Sequence, residues 1–189
     1  KAIEKYPDRL YGRVGVDPHT GMAGVRKLER LVKDYGVKAA GATACYIGKP
    51  YNHYIYFPFY AKCIELDIPF TVNVGIPGPK VPGAVQDPLP LDEVCHYMPE
   101  RKLVMMHGGE PWTALCCKLM LKWDNLYYMT SAFVPRHYNQ DIVNFMNTRG
   151  VDKVMYASGY PLVDPRRAMR EIPDLPLRDH VWPKFHREN

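Results

Sequence analysis

The chain has 189 residues, of which 47% are hydrophobic, so it can bury a substantial core in one domain. Its 25 Lys and Arg residues outnumber its 20 Asp and Glu residues, but they are scattered among acids, so no nucleic-acid partner is expected. Its longest apolar runs are far shorter than the roughly 20 residues of a membrane helix, which excludes a membrane span. The first residues carry charges instead of a signal-peptide pattern, and we expect a cytoplasmic protein.

The cysteine pattern excludes two common kinds of small domain. Five cysteines make an odd number, and none of them forms a Cys-x-x-Cys pair, which argues against both a zinc ribbon and a disulfide framework. Cys116 and Cys117 fall within a predicted helix, where we expect them to be small packing residues.

Short apolar runs and amphipathic segments alternate along the chain. Strands are predicted at 10–16, 37–42, 68–74, 102–107, 126–129 and 154–157. Helices are predicted at 22–35 with Gly36 as the stop, at 56–66, at 91–98, at 113–122 with Pro111 in the first turn, at 138–148 with Gly150 as the C-cap, and over most of the chain after residue 165. About six strand-helix units with short connections predict an α/β fold with a parallel sheet.

Two architectures fit this alternation. A flavodoxin-like open sheet fits the number of units, but the glycine fingerprint of a phosphate-binding loop is missing. A TIM-barrel-like (β/α)8 fold fits better if about two units are absent, since such barrels usually need roughly 250 residues. Six units would leave open sheet edges, so we expect a homo-oligomer or pairing with another chain.

The segment 102–112 is the first candidate for an active site. It is an apolar run that ends in His107, Gly108, Gly109, Glu110, Pro111 and Trp112. Catalytic side chains of parallel barrels lie on the loops after the strands, and histidine titrates near neutral pH, so His107 is the predicted acid or base. Glu110 could orient His107, bind substrate or favour a helix dipole, and Trp112 could be a pocket wall or a core aromatic. The loop 75–83, rich in glycine and proline, also looks functional.

The order of several short motifs resembles the amidohydrolase-related family, which includes the aminocarboxymuconate-semialdehyde and resorcylate-type decarboxylases. The motifs span nearly the whole chain, at 6–9 (YPDR), 15–18 (GVDP), 57–63 (FPFYAKC), 73–79 (NVGIPGP), 107–112 (HGGEPW) and 157–161 (ASGYP). The resemblance implies a TIM barrel of the amidohydrolase superfamily that usually binds one divalent metal, often zinc. It also implies hydrolysis or non-oxidative decarboxylation of carboxylates.

The resemblance is uneven at the metal positions. The His-x-His pair of the family's first strand has no counterpart, so the sequence is expected to begin after the first two barrel strands, as a single domain over 1–189. The family's metal-binding histidine falls at Asn73 and its metal-associated aspartate at Gly159, whereas its active-site histidine is retained at His107. A catalytic zinc site needs about three protein ligands, so we predict no metal ligand and no specific cofactor unless some other residue substitutes for the lost ligands.

Two functional hypotheses follow. The first is a hydrolase or decarboxylase that uses His107 on a small carboxylated or aromatic substrate. Asn73 could then hydrogen-bond the ligand or simply cap its loop, and Ser131 and Tyr160 are placed to line the pocket. The second hypothesis is a non-catalytic relative that binds a ligand or pairs with an active homologous subunit, for which the loss of aspartate at Gly159 is the main argument.

Overall fold

Six short parallel strands form one sheet in the computed structural model, which describes residues 2–189. The strands are β1 (Arg13–Gly15), β2 (Ala39–Ala42), β3 (Phe70–Asn73), β4 (Leu103–Met106), β5 (Leu126–Met129) and β6 (Val154–Met155). They lie in the sheet in chain order, and each pairs in parallel with the next. Because crossover connections are right-handed, this order puts the connecting helices on one face, as in a barrel wall. The predicted α/β class is confirmed.

The helices between the strands are largely those that the sequence predicts. They are α1 (Ala2–Lys5), α2 (Gly21–Tyr35), α3 (Ala44–Ile47), α4 (Phe57–Glu65), α5 (Pro90–Tyr97), α6 (Thr113–Lys122), α7 (Gln140–Met146), α8 (Pro165–Glu171) and α9 (Val181–Pro183). Helix α2 buries Val25 and Leu28 and ends at Gly36, whose φ of 65° lets its amide bond back to the carbonyls of Leu31 and Val32. The predicted stop at Gly36 is confirmed.

Two predicted helix ends are wrong. Pro111 is not in the first turn of α6, because the amide of Trp112 bonds to the carbonyl of Gly109 in a preceding turn and the helix begins at Thr113. Gly150 is not the C-cap of α7, which ends at Met146. A Cβ atom at residue 150 would collide with the ring of Phe145, so this glycine serves packing instead.

The two faces of the sheet differ in burial. The residues that pack against the helices are fully buried and include Phe70, Val72, Leu103, Met105 and Leu126. The alternate residues point to the opposite face, here called the inner face. Some of these are buried and others half-buried; they include Thr71, Asn73, Val104, Met106 and Met129. The main core therefore lies between the sheet and its helices, while the inner face is partly open.

Strands β1 and β6 are the edges of the sheet, with no further strand beside them in the described part of the chain. A single barrel domain that lacks its first two strands therefore stays a prediction. No helix within residues 2–189 combines the length and the apolar character that a membrane crossing requires.

All five cysteines are free, as expected from their spacing. Cys116 and Cys117 are buried in α6, which confirms the prediction that they are packing residues. Burial raises the pKa of both thiols, that of Cys117 to about 12.

Candidate active site

The carboxyl ends of three adjacent strands bring polar residues to one edge of the sheet. Asn73, Met106 and Met129 are paired in register as the last residues of β3, β4 and β5. His107 follows Met106 directly, and Ser131 comes two residues after Met129. In parallel barrels this edge is where active sites are found.

A cavity of about 710 Å³ lies at this edge. Its polar lining consists of Thr43, Cys45, Tyr46, Asn73, Gln86 and His107, and its apolar lining includes Val74, Ile76, Phe133 and Leu162. The predicted functional loop 75–83 contributes four residues to this lining, from 76 to 79. A concave and mostly apolar cavity of this size with a few polar groups is typical of a small-molecule site.

Ser131 fixes the position of His107. The Oγ atom of Ser131 lies 3.0 Å from Nδ1 of His107, and it also accepts a hydrogen bond from the backbone amide of His107 at 3.3 Å. Ser131 is itself 1% exposed, so its hydroxyl is held in place by its surroundings. The other ring nitrogen, Nε2, has no hydrogen-bond partner among residues 2–189 and is free for a ligand.

The backbone around His107 is in an unusual conformation. His107 and Ala132, which follows Ser131, have left-handed φ angles of 69° and 73°. For residues other than glycine this conformation costs on the order of 1–3 kcal/mol, and such residues cluster at functional sites. Gly108 and Gly109 continue the turn with φ angles of 79° and 70°, which glycine adopts without this cost.

The surroundings of His107 keep its side chain neutral. Burial lowers the pKa of the imidazole, and the positive charge of Arg13 lowers it further, while a hydrogen bond with the backbone of Ser131 partly opposes both effects. Since the ordinary pKa of histidine is already below 7, the ring is uncharged at neutral pH. A neutral imidazole can accept a proton from water or from a substrate.

Arg13 reaches the inner face from the edge strand β1. Its Nε donates a hydrogen bond of 2.5 Å to Oγ1 of Thr71 on β3, across the intervening strand β2. Gly41 on β2 leaves this path open, because a Cβ atom there would collide with both Thr71 Oγ1 and Arg13 Nη2. Part of the Arg13 side chain is exposed at the open edge, yet burial of its guanidinium lowers the pKa. Arginine nevertheless keeps its charge in proteins.

Two buried side chains support the loops around the cavity. The Nε2 of Gln86 donates to the carbonyl of Gly75 at 2.8 Å, while its Oε1 has no hydrogen-bond partner within residues 2–189. The hydroxyl of Tyr51 donates to the carbonyl of Asn73 at 2.8 Å and accepts from the amide of Ala44 at 3.3 Å. Gln86 therefore holds the loop at Gly75 in place with its amide nitrogen, while its Oε1 is buried, and Tyr51 ties the loop after β2 to the end of β3.

Cys45 brings a thiol to the cavity wall. Burial is the main influence on this group and raises its pKa. The thiol is therefore protonated at neutral pH, and it lacks the thiolate form that nucleophilic cysteines need.

The structure brings together three of the residues singled out from the sequence. Asn73 and His107 line the cavity, and Ser131 contacts His107. Glu110, Trp112 and Tyr160 lie outside the lining of this cavity. Their suggested roles in substrate binding stay predictions.

The surroundings of these three residues differ. Glu110 is exposed, lines a separate recess of about 10 Å³ and precedes the first turn of α6. Trp112 is half-buried just before that helix, and Tyr160 is 75% exposed.

Sequence reasoning missed Arg13, Thr43 and Gln86. The only signal for Arg13 was that a charged residue lies inside a strand-like run. Gln86 follows a loop and belongs to no recognisable motif. Both depend on contacts between segments that are far apart in the sequence.

The described residues do not supply the ligand set of a divalent metal. Within residues 2–189, no group of three or more His, Cys, Asp or Glu side chains is placed to hold an ion. Asn73 offers a neutral amide, and Gly159 has no side chain. Gly159 also has a φ of 72°, and a Cβ atom there would lie 2.7 Å from the backbone nitrogen of Ala132. An aspartate at this position would therefore require the backbone to move.

A family model described as amidohydrolase matches residues 1–188. The chain belongs to this amidohydrolase family. Among curated proteins, none matches the sequence significantly.

Solved structures share the fold of this amidohydrolase at low sequence identity. An uncharacterized TIM-barrel protein from Bordetella bronchiseptica is 20% identical, with a TM-score of 0.83 over 97% of this chain and 66% of that one. A 2,6-dihydroxybenzoate decarboxylase from Rhizobium is 16% identical, with a TM-score of 0.73 over 97% and 70%. A 5-carboxyvanillate decarboxylase from Sphingomonas paucimobilis is 13% identical, with a TM-score of 0.73 over 97% and 66%.

These likenesses establish the TIM-barrel fold family. The amidohydrolase chain spans about two thirds of the length of the structures it matches. The barrel interpretation of the six parallel strands is confirmed.

Proposed function

We propose that this amidohydrolase acts on a small carboxylated or aromatic molecule bound in the cavity at the strand ends. The observation that carries the proposal is His107, which lines the cavity and is fixed through Nδ1 by Ser131. This arrangement leaves Nε2 as the nitrogen that exchanges a proton with the substrate or with water. Asn73 and Thr43, which line the cavity, provide polar groups that orient the ligand.

Hydrolysis and decarboxylation use His107 in opposite protonation states. In hydrolysis, neutral His107 takes a proton from water as the water oxygen attacks the substrate carbonyl, and it returns the proton to the leaving oxygen or nitrogen as the bond to the carbonyl carbon breaks. In decarboxylation, His107 donates a proton to the carbon that keeps the bonding electron pair as neutral CO2 leaves. The lowered pKa of His107 favours the first role at neutral pH and makes the second faster in acid.

Turnover of a panel of carboxylates tests this proposal. We would incubate the protein with 2,6-dihydroxybenzoate, 5-carboxyvanillate and simple aryl esters and amides, and follow CO2 release and product absorbance. His107→Asn should abolish turnover, because asparagine accepts the left-handed backbone but cannot exchange a proton. His180→Asn changes an exposed histidine of the surface and should retain full activity. Equal activity of the two variants would exclude His107 as the acid or base.

The second candidate function is a non-catalytic relative that binds a ligand or pairs with an active homologous subunit. It is supported by the family resemblance, under which metal-ligand positions fall at Asn73 and Gly159. The open edges at β1 and β6 would suit such pairing or a homo-oligomer. Turnover by the purified protein alone would exclude this candidate, and sedimentation would test the association.

A further inference from the structure

Arg13 carries a positive charge that no carboxylate within residues 2–189 compensates. A guanidinium has five N–H donors, of which the Nε donor goes to Thr71. Neither Nη atom has a hydrogen-bond partner in the described residues, and no carboxylate among them pairs with this side chain. The cavity at the strand ends is lined by no Asp or Glu either.

The sequence leaves room for this arginine. Gly41 pairs with Gly15 on β1 and with Thr71 on β3, and a side chain there would block the path of the Arg13 guanidinium to Thr71. Asn73 at the end of β3 and Thr43 directly after β2 lie two residues beyond Thr71 and Gly41 and line the cavity, whereas Arg13 is not part of the lining. Two residues of strand span about 7 Å, so the guanidinium lies one layer beneath the cavity floor.

The groups that face Arg13 do not neutralise it. Its charge acts on His107 and on Tyr51, and neither side chain is negative at neutral pH. Burial raises the pKa of Tyr51 far above its ordinary value, and His107 is neutral. A site with a fixed cation and without acidic ligands repels a divalent metal and attracts an anion.

We propose that Arg13 binds the carboxylate of the ligand through its Nη atoms and supplies the positive charge that a metal ion would otherwise provide. Planar guanidinium groups pair with carboxylates through two parallel hydrogen bonds, and these are among the stronger hydrogen bonds in proteins. In this arrangement the carboxylate reaches below the level of Asn73, and the rest of the molecule extends from there towards the cavity and His107. This assignment rests on the proposed function in so far as it uses the same cavity.

Calorimetric titration in the presence of a chelator tests the assignment. The probes are 2,6-dihydroxybenzoate, benzoate and resorcinol, which keeps the ring and hydroxyl groups but has no carboxylate. Wild-type protein should bind at least one carboxylate about 10-fold or more tightly than resorcinol. Arg13→Gln should lose this difference, Arg13→Lys should keep part of it, and the exposed Arg30→Gln on α2 should behave as wild type.

Several results would overturn the assignment. The first is that the wild type binds neither carboxylate. The second is that Arg13→Gln binds the carboxylates as tightly as the wild type does. The third is that the wild type binds a carboxylate only after manganese or zinc is added. Circular dichroism shows whether Arg13→Gln folds. If it does not, Gly41→Ala displaces the guanidinium from Thr71 and should lose the same preference for carboxylates over resorcinol. The affinities of Arg13→Lys for the carboxylates and for resorcinol provide a further test of this preference. Binding through Arg13 without turnover would leave this assignment standing and reject catalysis. Turnover with a KM that is unchanged in Arg13→Gln would support catalysis and overturn the assignment of Arg13.

Discussion

Nδ1 of His107 and Oγ of Ser131 are 3.0 Å apart, although 24 residues separate them in the chain. The contact exists because β4 and β5 pair in register and end at the same level, so that the loops after both strands meet. Ser131 thus contacts His107 from the loop after the neighbouring strand, and this contact forms only when β4 and β5 are paired in the sheet.

Replacing Ser131 by alanine should impair the site more than the fold. The variant loses the bond to Nδ1 and the bond to the backbone amide of His107, so the ring can rotate. We expect turnover to fall about tenfold, the equivalent of one net hydrogen bond. The measurement is kcat on the substrate found for the wild type, together with NMR of the His107 ring nitrogens. Ser158→Ala, a half-buried serine on the loop after β6, is the control, and an equal loss there would contradict the role of Ser131.

The pKa of His107 predicts how stability depends on pH. The pKa is lowered in the folded protein, so below about pH 6.5, the ordinary value of histidine, the unfolded chain binds more protons than the folded one. The free energy of unfolding should therefore fall as the pH decreases through 6.5 towards the lower folded pKa, and this contribution should vanish above pH 7.5. Urea unfolding at pH 7.5 and 5 should show a smaller drop for His107→Asn than for the wild type. Identical drops would contradict the lowered pKa, and His180→Asn should follow the wild type.

Local patterns in the sequence predicted the elements of this fold well. Helix α6 and strand β5 have the predicted limits, because the apolar period of the helix and the compact apolar run of the strand do not depend on distant residues. The end of α2 at Gly36 was predictable because a left-handed C-cap is a local property of glycine. Where packing decides the role of a glycine, as for Gly150 against Phe145, the local pattern misled.

The site was only partly predictable, because some of its residues are brought together by contacts between distant segments of the chain. The strand-end position of His107 was visible as an apolar run that stops at a polar residue. The reach of Arg13 across Gly41 to Thr71 was not visible, because it requires the register of three strands. Glu110 lies close to His107 in the sequence, but the turn at Gly108 and Gly109 separates it from the cavity.

Removing the hydroxyl of Tyr51 should destabilise the loops that frame the cavity. Tyr51 is fully buried, and Tyr51→Phe would leave the carbonyl of Asn73 and the amide of Ala44 without this partner. An unsatisfied buried group costs about 1–3 kcal/mol, so we expect a loss in that range in urea unfolding. Tyr35→Phe is the control, since Tyr35 is 69% exposed and should change little. Equal stability of both variants would mean that water replaces the lost bonds.

Restoring the aspartate at residue 159 should fail to restore a metal site. Gly159 has a φ of 72°, and a Cβ atom there would be 2.7 Å from the nitrogen of Ala132, so Gly159→Asp should lose about 2 kcal/mol or more of stability. Gly78→Asp is the control, because Gly78 lines the cavity with open space around it, so that a side chain there meets no backbone atom. The double variant Asn73→His with Gly159→Asp should still hold far less than one zinc ion per chain after dialysis. One zinc ion per chain would instead show that the backbone at Ala132 yields and that the site can accept a metal once two ligands return.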